Sequence, residues 1–114
     1  MAALNRIGVI GNLGADPEVR AISGDRQVTS FPVAVNRHWT DAEGQSGEET
    51  DWFHVEAWGR LGANCARYLA KGRQVYVEGR LRINAWDAQD GSHHERAVIV
   101  ANNVQFLGTS SAQQ

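Results

Sequence analysis

A short segment from Trp52 to Trp58 combines aromatic and polar residues in a regular alternation. With the period of two that a β-strand imposes, its residues separate into an apolar face and a mixed face. The apolar face holds Phe53, Val55 and Ala57, and the mixed face holds Trp52, His54, Glu56 and Trp58. A carboxylate in a dry core would need a partner, so we expect the two indoles to be at least partly exposed.

A second segment, residues 74–86, repeats this arrangement with arginine among the aromatic residues. One face holds Val75, Val77, Leu81 and Ile83, and the other holds Tyr76, Glu78, Arg80, Arg82 and Trp86. Exposed rings can stack on the faces of bases, and guanidinium groups can contact phosphates. All bases share these features, so the pattern predicts a surface that binds single strands without regard to sequence.

The elements that position these residues are five strand-like runs at about 5–13, 27–37, 52–58, 74–86 and 95–107. Between the third and fourth runs, Leu61, Cys65, Tyr68 and Leu69 follow helical spacing up to Gly72. This order predicts an all-β protein, a five-stranded OB-fold Greek-key barrel with one short helix between strands 3 and 4. The connections 38–51 and 87–94 are predicted as hairpin loops.

Two local features refine the strands. Pro32 lacks a backbone donor, so it indicates an edge position or a bulge in the second run. The pair Asn102-Asn103 indicates a bulge in the fifth. The phase of Trp39 follows that of Phe31 and Val33, unless the strand bends or bulges between them.

Composition indicates one globular domain over residues 1–108 and a disordered polar tail over 109–114. The apolar runs are too short to span a bilayer and no signal-peptide pattern is present, so we expect a cytoplasmic protein with no membrane partner. Cys65 is the single cysteine, and neither it nor the four histidines predict a metal site. The net charge is −2, but 41–51 holds five acidic residues and no lysine or arginine, which leaves the rest of the chain at +3.

Two longer motifs carry a family resemblance. Residues 11–20 read GNLGADPEVR, and residues 68–82 read YLAKGRQVYVEGRLR. Both resemble, in the same order, signatures of the bacterial single-stranded DNA-binding protein family, and the similarity extends over about 3–108. The resemblance implies an OB-fold that assembles as a homotetramer. It also implies binding and protection of single-stranded DNA during replication, recombination and repair, at the nucleoid.

The resemblance also implies individual site residues. Its base-stacking aromatics correspond to Trp39, Trp52, Trp58 and Trp86, and Trp39 rests on the resemblance alone. Its backbone contacts correspond to Arg6, Arg60, Lys71 and Arg82. The strand face described above adds Arg80.

Two other classes of function stay open at this point. One is an OB-fold adaptor of the replication-restart type, which acts mainly through protein partners. The other is a nuclease, which would need clustered carboxylates, whereas the predicted face holds only Glu56 and Glu78. We therefore expect neither an enzyme nor a cofactor.

Family members usually end in an acidic tip that recruits replication and repair proteins. The sequence ends in Ser110-Ser111-Ala112-Gln113-Gln114 without such a tip, so recruitment of replication and repair proteins in that way stays open. The chain is then either a shortened form of a longer protein or a short paralogue.

Overall fold

The computed structural model describes residues 2–108, and the tail predicted for 109–114 lies outside them. The described residues form six strands and one helix. These are β1 (Ile7–Leu13), β2 (Glu18–Ser23), β3 (Arg26–Thr40), β4 (Ser46–Trp58), α1 (Gly59–Tyr68), β5 (Gln74–Asp87) and β6 (His93–Leu107). The predicted class is confirmed: the chain is mostly β, and its helix lies between the third and fourth predicted strands, which are β4 and β5.

The strands are arranged in the order β1-β5-β6-β4-β3-β2. All pairs are antiparallel except β4 with β6, which run parallel through His54 and Val98. Strand β1 also pairs with β3 at Asn12 and Leu13, after pairing with β5 from Ile7 to Asn12. Because β1 pairs with both β5 and β3, it closes the strands β1, β5, β6, β4 and β3 into a barrel.

Gly11 lies where β1 leaves β5 and meets β3. A Cβ atom at this position would overlap the carbonyl oxygen of Ala34 and the side chain of Val33. Closure of the barrel therefore requires a residue without a side chain at this crossing.

Strand β2 is a sixth strand that the sequence analysis did not predict. It pairs only with β3, and all six of its residues are exposed. Because β2 buries neither face, its sequence lacks the apolar alternation that marks the other strands.

The two hairpins are more ordered than predicted. Strands β3 and β4 pair without interruption from Val28–Trp58 to Thr40–Ser46, so the turn is only 41–45 and not 38–51. The second turn is 88–92 and not 87–94. Cross-strand pairing of polar residues extends both ribbons, although neither carries a buried face that would reveal a strand in the sequence.

The core consists of apolar residues from the barrel strands and the helix. Its buried members are Leu13, Phe31, Val33, Val55, Ala57, Cys65, Leu69, Val75, Val77, Ile99 and Ala101. These include most of the inward faces predicted for the second, third and fourth runs, and Val35, Phe53 and Leu81 of those faces are partly buried against the core. Ile83 differs, because it lies on the hairpin beyond the barrel and is 55% exposed.

The two irregular positions have clear structural causes. The carbonyl oxygen of Pro32 accepts a hydrogen bond from the Gly14 amide, so the Pro32 nitrogen also points toward the gap between β1 and β2, where no strand donor is needed. Asn102 is the extra residue of a bulge, since Glu78 pairs with Asn103 and Gly79 with Ala101. The predicted bulge in the fifth run is confirmed.

The helix ends earlier than predicted. Leu69 has extended backbone angles, and its amide donates to the Cys65 carbonyl oxygen at 2.9 Å. Gly72, the predicted end, instead adopts a φ of 92° in the turn that leads into β5. Tyr68 was expected on the buried face, but it is 53% exposed, and its ring lies 6.2 Å from the Phe106 ring, centre to centre, in a tilted arrangement.

The crossing at Gly11 gives a test of barrel closure. We expect Gly11→Ala to lower the free energy of unfolding by about 1–3 kcal/mol, the usual cost of overpacking. The matched control is Gly8→Ala in the same strand, where the new methyl group would lie 3.2 Å from the Tyr76 hydroxyl oxygen, at the end of a side chain. Urea unfolding measures both, and equal losses would contradict this account of closure.

Candidate nucleic-acid interface

Three of the four tryptophans lie on one face of the barrel sheet. Opposite residues of paired strands point to the same side, and the register pairs Trp52 with Ala34, Trp58 with Val28, and Trp86 with His94. The parallel pairing of β4 with β6 places all these residues on the outer surface of β3, β4, β6 and β5. We call this surface the tryptophan face.

The three indoles differ in exposure. Trp52 is 61% exposed and Trp86 is 46% exposed, whereas Trp58 is partly buried. The guanidinium of Arg26 lies 5.0 Å from the centre of the Trp58 ring, and the His94 imidazole stacks on Trp86 at 5.6 Å. Trp52 therefore offers the most accessible ring, and Trp86 has one face already covered.

Trp39 lies apart from this group. The β3–β4 register is unbroken, so Trp39 keeps the phase of Phe31 and Val33 and faces the opposite side of the ribbon. Its indole is 43% exposed and lies directly over Gly47, where a Cβ atom would overlap the ring. Trp52 lies over Gly14 in the same way. The structure does not place Trp39 on the tryptophan face.

Glu56, on the tryptophan face, is buried, with 7% of its surface exposed. Its carboxylate accepts a hydrogen bond of 2.8 Å from Arg82 Nη2, and Arg82 Nε donates to Asn84 Oδ1 at 3.0 Å. From the sequence we expected this face to be partly exposed, and the strand pattern indicated no partner for Glu56. The burial is possible because Arg82 supplies the partner that a buried carboxylate needs.

The predicted phosphate contacts fall into two groups. Arg82 pairs with Glu56, and Arg6 pairs with Glu78 at 3.2 Å. The other three, Arg60, Lys71 and Arg80, are exposed and form no ion pair within the described part of the chain.

Lys71 is remote from Trp86. It lies in the turn before β5, where its backbone amide donates to Asp16 Oδ1 at 2.8 Å, whereas Trp86 lies near the far end of that strand. Lys71 shares a shallow depression with Arg67 and Arg73. The structure therefore separates Lys71 from Trp86 and groups it with other cations.

Three residues of the tryptophan face were not predicted as site residues. Arg96 and His54 line a depression beside Trp52, and His94 stacks on Trp86. The period of two in β6 places His94, Arg96 and Val98 on one side, opposite Trp86, Asn84 and Arg82 of β5. Applying strand phase to the fifth run would have found Arg96, whereas His94 fell in the predicted loop 87–94 and could be found only by extending that run to His93.

Charge on the β3–β4 hairpin is partly balanced. Arg37 lies 3.1 Å from Asp51 and 3.2 Å from Glu49, and hydrogen bonding to Asp51 raises the pKa of Arg37. The acidic stretch is therefore partly neutralised across the hairpin, which reduces the repulsion it would exert on an anionic ligand.

Two titratable groups are shifted by burial. Burial, with the nearby charge of Arg96, lowers the pKa of His54 below its ordinary value of 6.5. Burial raises the pKa of Cys65 to about 11, so its thiol stays protonated and packs as an apolar group. Within 2–108, no cluster of three or more histidine, cysteine, aspartate or glutamate residues could hold a metal ion. No helix in that range is long and apolar enough to cross a membrane.

A five-stranded barrel with rings and cations on its outer face defines an oligonucleotide-binding class of protein. Comparison with known proteins narrows this class. A sequence model of the single-strand binding protein family matches residues 4–107. The chain belongs to this family.

Individual relatives agree with the assignment. The chain is 39% identical over 110 residues to single-stranded DNA-binding protein 1 of Chlorobaculum tepidum. The matched segment covers 96% of this chain and 68% of the relative. It is 39% identical over 105 residues to the single-stranded DNA-binding protein of Xanthomonas campestris, covering 92% and 61%. The structure of the Plasmodium falciparum SSB complex with ssDNA has a TM-score of 0.87 at 27% identity, covering 95% of this chain and 98% of that one.

The shifted pKa of His54 predicts how stability depends on pH. Above about 6.5, His54 is neutral in both the folded and the unfolded chain and has no effect. As the pH falls below that value, the unfolded chain binds the proton first, so stability decreases until the folded pKa is passed. We expect His54→Gln to lose less stability than the wild type as the pH falls, because the variant lacks this titrating group. Thermal unfolding of both proteins from about pH 5 to about pH 8, the range in which histidine titrates, measures this difference. Parallel stability curves for the wild type and the variant would contradict the expectation.

Proposed function

We propose that this protein binds and protects single-stranded DNA without regard to sequence, by stacking bases on tryptophans and contacting phosphates with cations. The observation that carries the proposal is the arrangement of Trp52, Trp58 and Trp86 on one face, with two of them half exposed or nearly so. Large aromatic groups are mostly buried in proteins, so three of them on one outer face favour a surface that a ligand covers.

Stacking accounts for binding by a chain with a net charge of −2. A stacked base contributes about 1–3 kcal/mol by alanine substitution, and every base offers a face for it. Arg60, Lys71 and Arg80 supply exposed charge along the phosphate backbone, together with Arg6 where the strand displaces its carboxylate partner. Trp39 adds a platform only for a strand that continues over the β3–β4 ribbon.

The proposal includes assembly into a homotetramer. Residues Ile7 to Ile10 of β1 pair with β5 on one side, while β3 reaches only Asn12 and Leu13 on the other. Ile10 on this strand is 53% exposed and lies beside Tyr76. An open strand edge next to an exposed isoleucine favours pairing with a second copy of the chain.

The proposed site of action is the cytoplasm, at the nucleoid, where replication, recombination and repair expose single strands. No catalytic role is part of the proposal.

Truncation of the tryptophans tests base stacking. We expect Trp52→Ala and Trp86→Ala each to weaken binding of a dT oligomer by about 1–3 kcal/mol, and Trp52→Phe to retain part of the affinity. The control is Ile83→Ala, which removes an exposed apolar side chain from the opposite face of β5. Anisotropy of a labelled oligomer measures the affinity, and tryptophan quenching reports the stacking.

Two outcomes would contradict stacking. Tryptophan variants that bind as tightly as Ile83→Ala would remove these rings from the interface. A wild-type chain that binds no oligomer would instead support the adaptor class of OB-fold protein.

A charged substitution tests assembly. We expect the wild-type chain to sediment as a tetramer and Ile10→Glu to sediment as a smaller species, because the carboxylate would lose hydration in the interface. The control is Val19→Glu on β2, where valine is 48% exposed on a different part of the surface. A monomeric wild type would contradict the tetramer, and a tetrameric Ile10→Glu would contradict this interface.

A further inference from the structure

We propose that Arg96 binds a backbone phosphate at the centre of the tryptophan face, and that Arg82 does not because it is the counterion of Glu56. This inference rests on the proposed function and assigns a phosphate position within it. It reverses the sequence-based expectation that Arg82 contacts phosphate. It also adds Arg96, which was not among the predicted site residues.

The side chain of Arg82 is committed within the protein. It gives Nη2 to Glu56 at 2.8 Å and Nε to Asn84 at 3.0 Å, while the Glu56 side chain is only 9% exposed. Moving the guanidinium to a phosphate would leave a buried carboxylate without its partner, which is strongly unfavourable. The pair carries no net charge, so it attracts a polyanion weakly.

Arg96 has the opposite character. It is exposed, and within residues 2–108 no carboxylate lies within ion-pair distance of it. It lines the depression that also contains Trp52, His54 and Pro32. Its charge contributes to the lowered pKa of His54, so its positive field reaches into that depression.

The position of Arg96 between the platforms suits a phosphate. Strand β6 lies between β4, which carries Trp52, and β5, which carries Trp86. Arg96 is directly opposite Asn84 on β5, one same-face position from the Trp86–His94 pair. Adjacent strands are about 4.8 Å apart, so a strand stacked on both tryptophans must carry its backbone across β6, past Arg96.

The salt dependence of binding tests the assignment. For single strands, each phosphate contact contributes about 0.7 to the slope of log K against log salt concentration. We expect Arg96→Gln to lower the magnitude of the slope for a dT oligomer by about 0.7, and Arg96→Lys to retain the wild-type slope. The paired substitution Glu56→Gln with Arg82→Gln leaves the net charge unchanged and should leave the slope unchanged.

A single substitution provides an independent test of Arg82. Glu56→Gln keeps a hydrogen-bond acceptor and removes the charge that holds Arg82, so we expect the slope to increase by about 0.7 as Arg82 becomes available. Thermal unfolding establishes whether each variant is folded. If the paired substitution does not fold, Glu56→Gln alone tests the role of Arg82.

The failures are distinguishable. A slope unchanged in Arg96→Gln, or lowered in the paired variant, would overturn the assignment of Arg96 and Arg82 while leaving DNA binding intact. An unchanged slope in Glu56→Gln would contradict the inference that the charge of Glu56 keeps Arg82 from phosphate. Absence of wild-type binding to the dT oligomer would overturn the proposed function itself.

Discussion

Strand β1 must pair with β5 along most of its length and with β3 at its end, and the barrel depends on this double pairing. Gly11 permits the crossing because any side chain there would meet the backbone of β3. Once β1 closes the ring, the parallel contact between β4 and β6 lies on the opposite side of the barrel. That contact brings Trp52 on one hairpin and Trp86 on the other to the same surface, although 34 positions of sequence separate them.

Ion pairs within the protein limit how many cations this slightly acidic chain can offer to a polyanion. Arg6, Arg37 and Arg82 all have carboxylate partners in the folded protein. The exposed pairs contribute little to stability, but they withdraw charge that a count of arginines would assign to binding. Fewer arginines are therefore available to phosphates than the composition indicates, which gives the rings a larger share of the proposed interaction.

Strand phase predicted the main elements of the fold and the separation of inner from outer residues in β3, β4 and β5. It failed at β2, because a strand exposed on both faces has no apolar alternation. It also missed the burial of Glu56, which depends on Arg82 from a strand 26 residues away. Period two restricts side chains to one of two faces, but it does not reveal which charges meet across strands. The same limit hid the difference between Arg82, which is held, and Arg96, which is free within the described chain.

The two most exposed platforms outside the second hairpin, Trp52 and Trp39, each lie over a glycine, Gly14 and Gly47. An indole that rests on bare backbone has lost much of its rotational freedom before any ligand arrives. Ordering a flexible side chain on binding typically costs about 0.5–1.5 kcal/mol. The two glycines therefore restrict the orientation of both rings in advance, and under the proposed stacking each contributes to binding although neither has a side chain with which to touch a base.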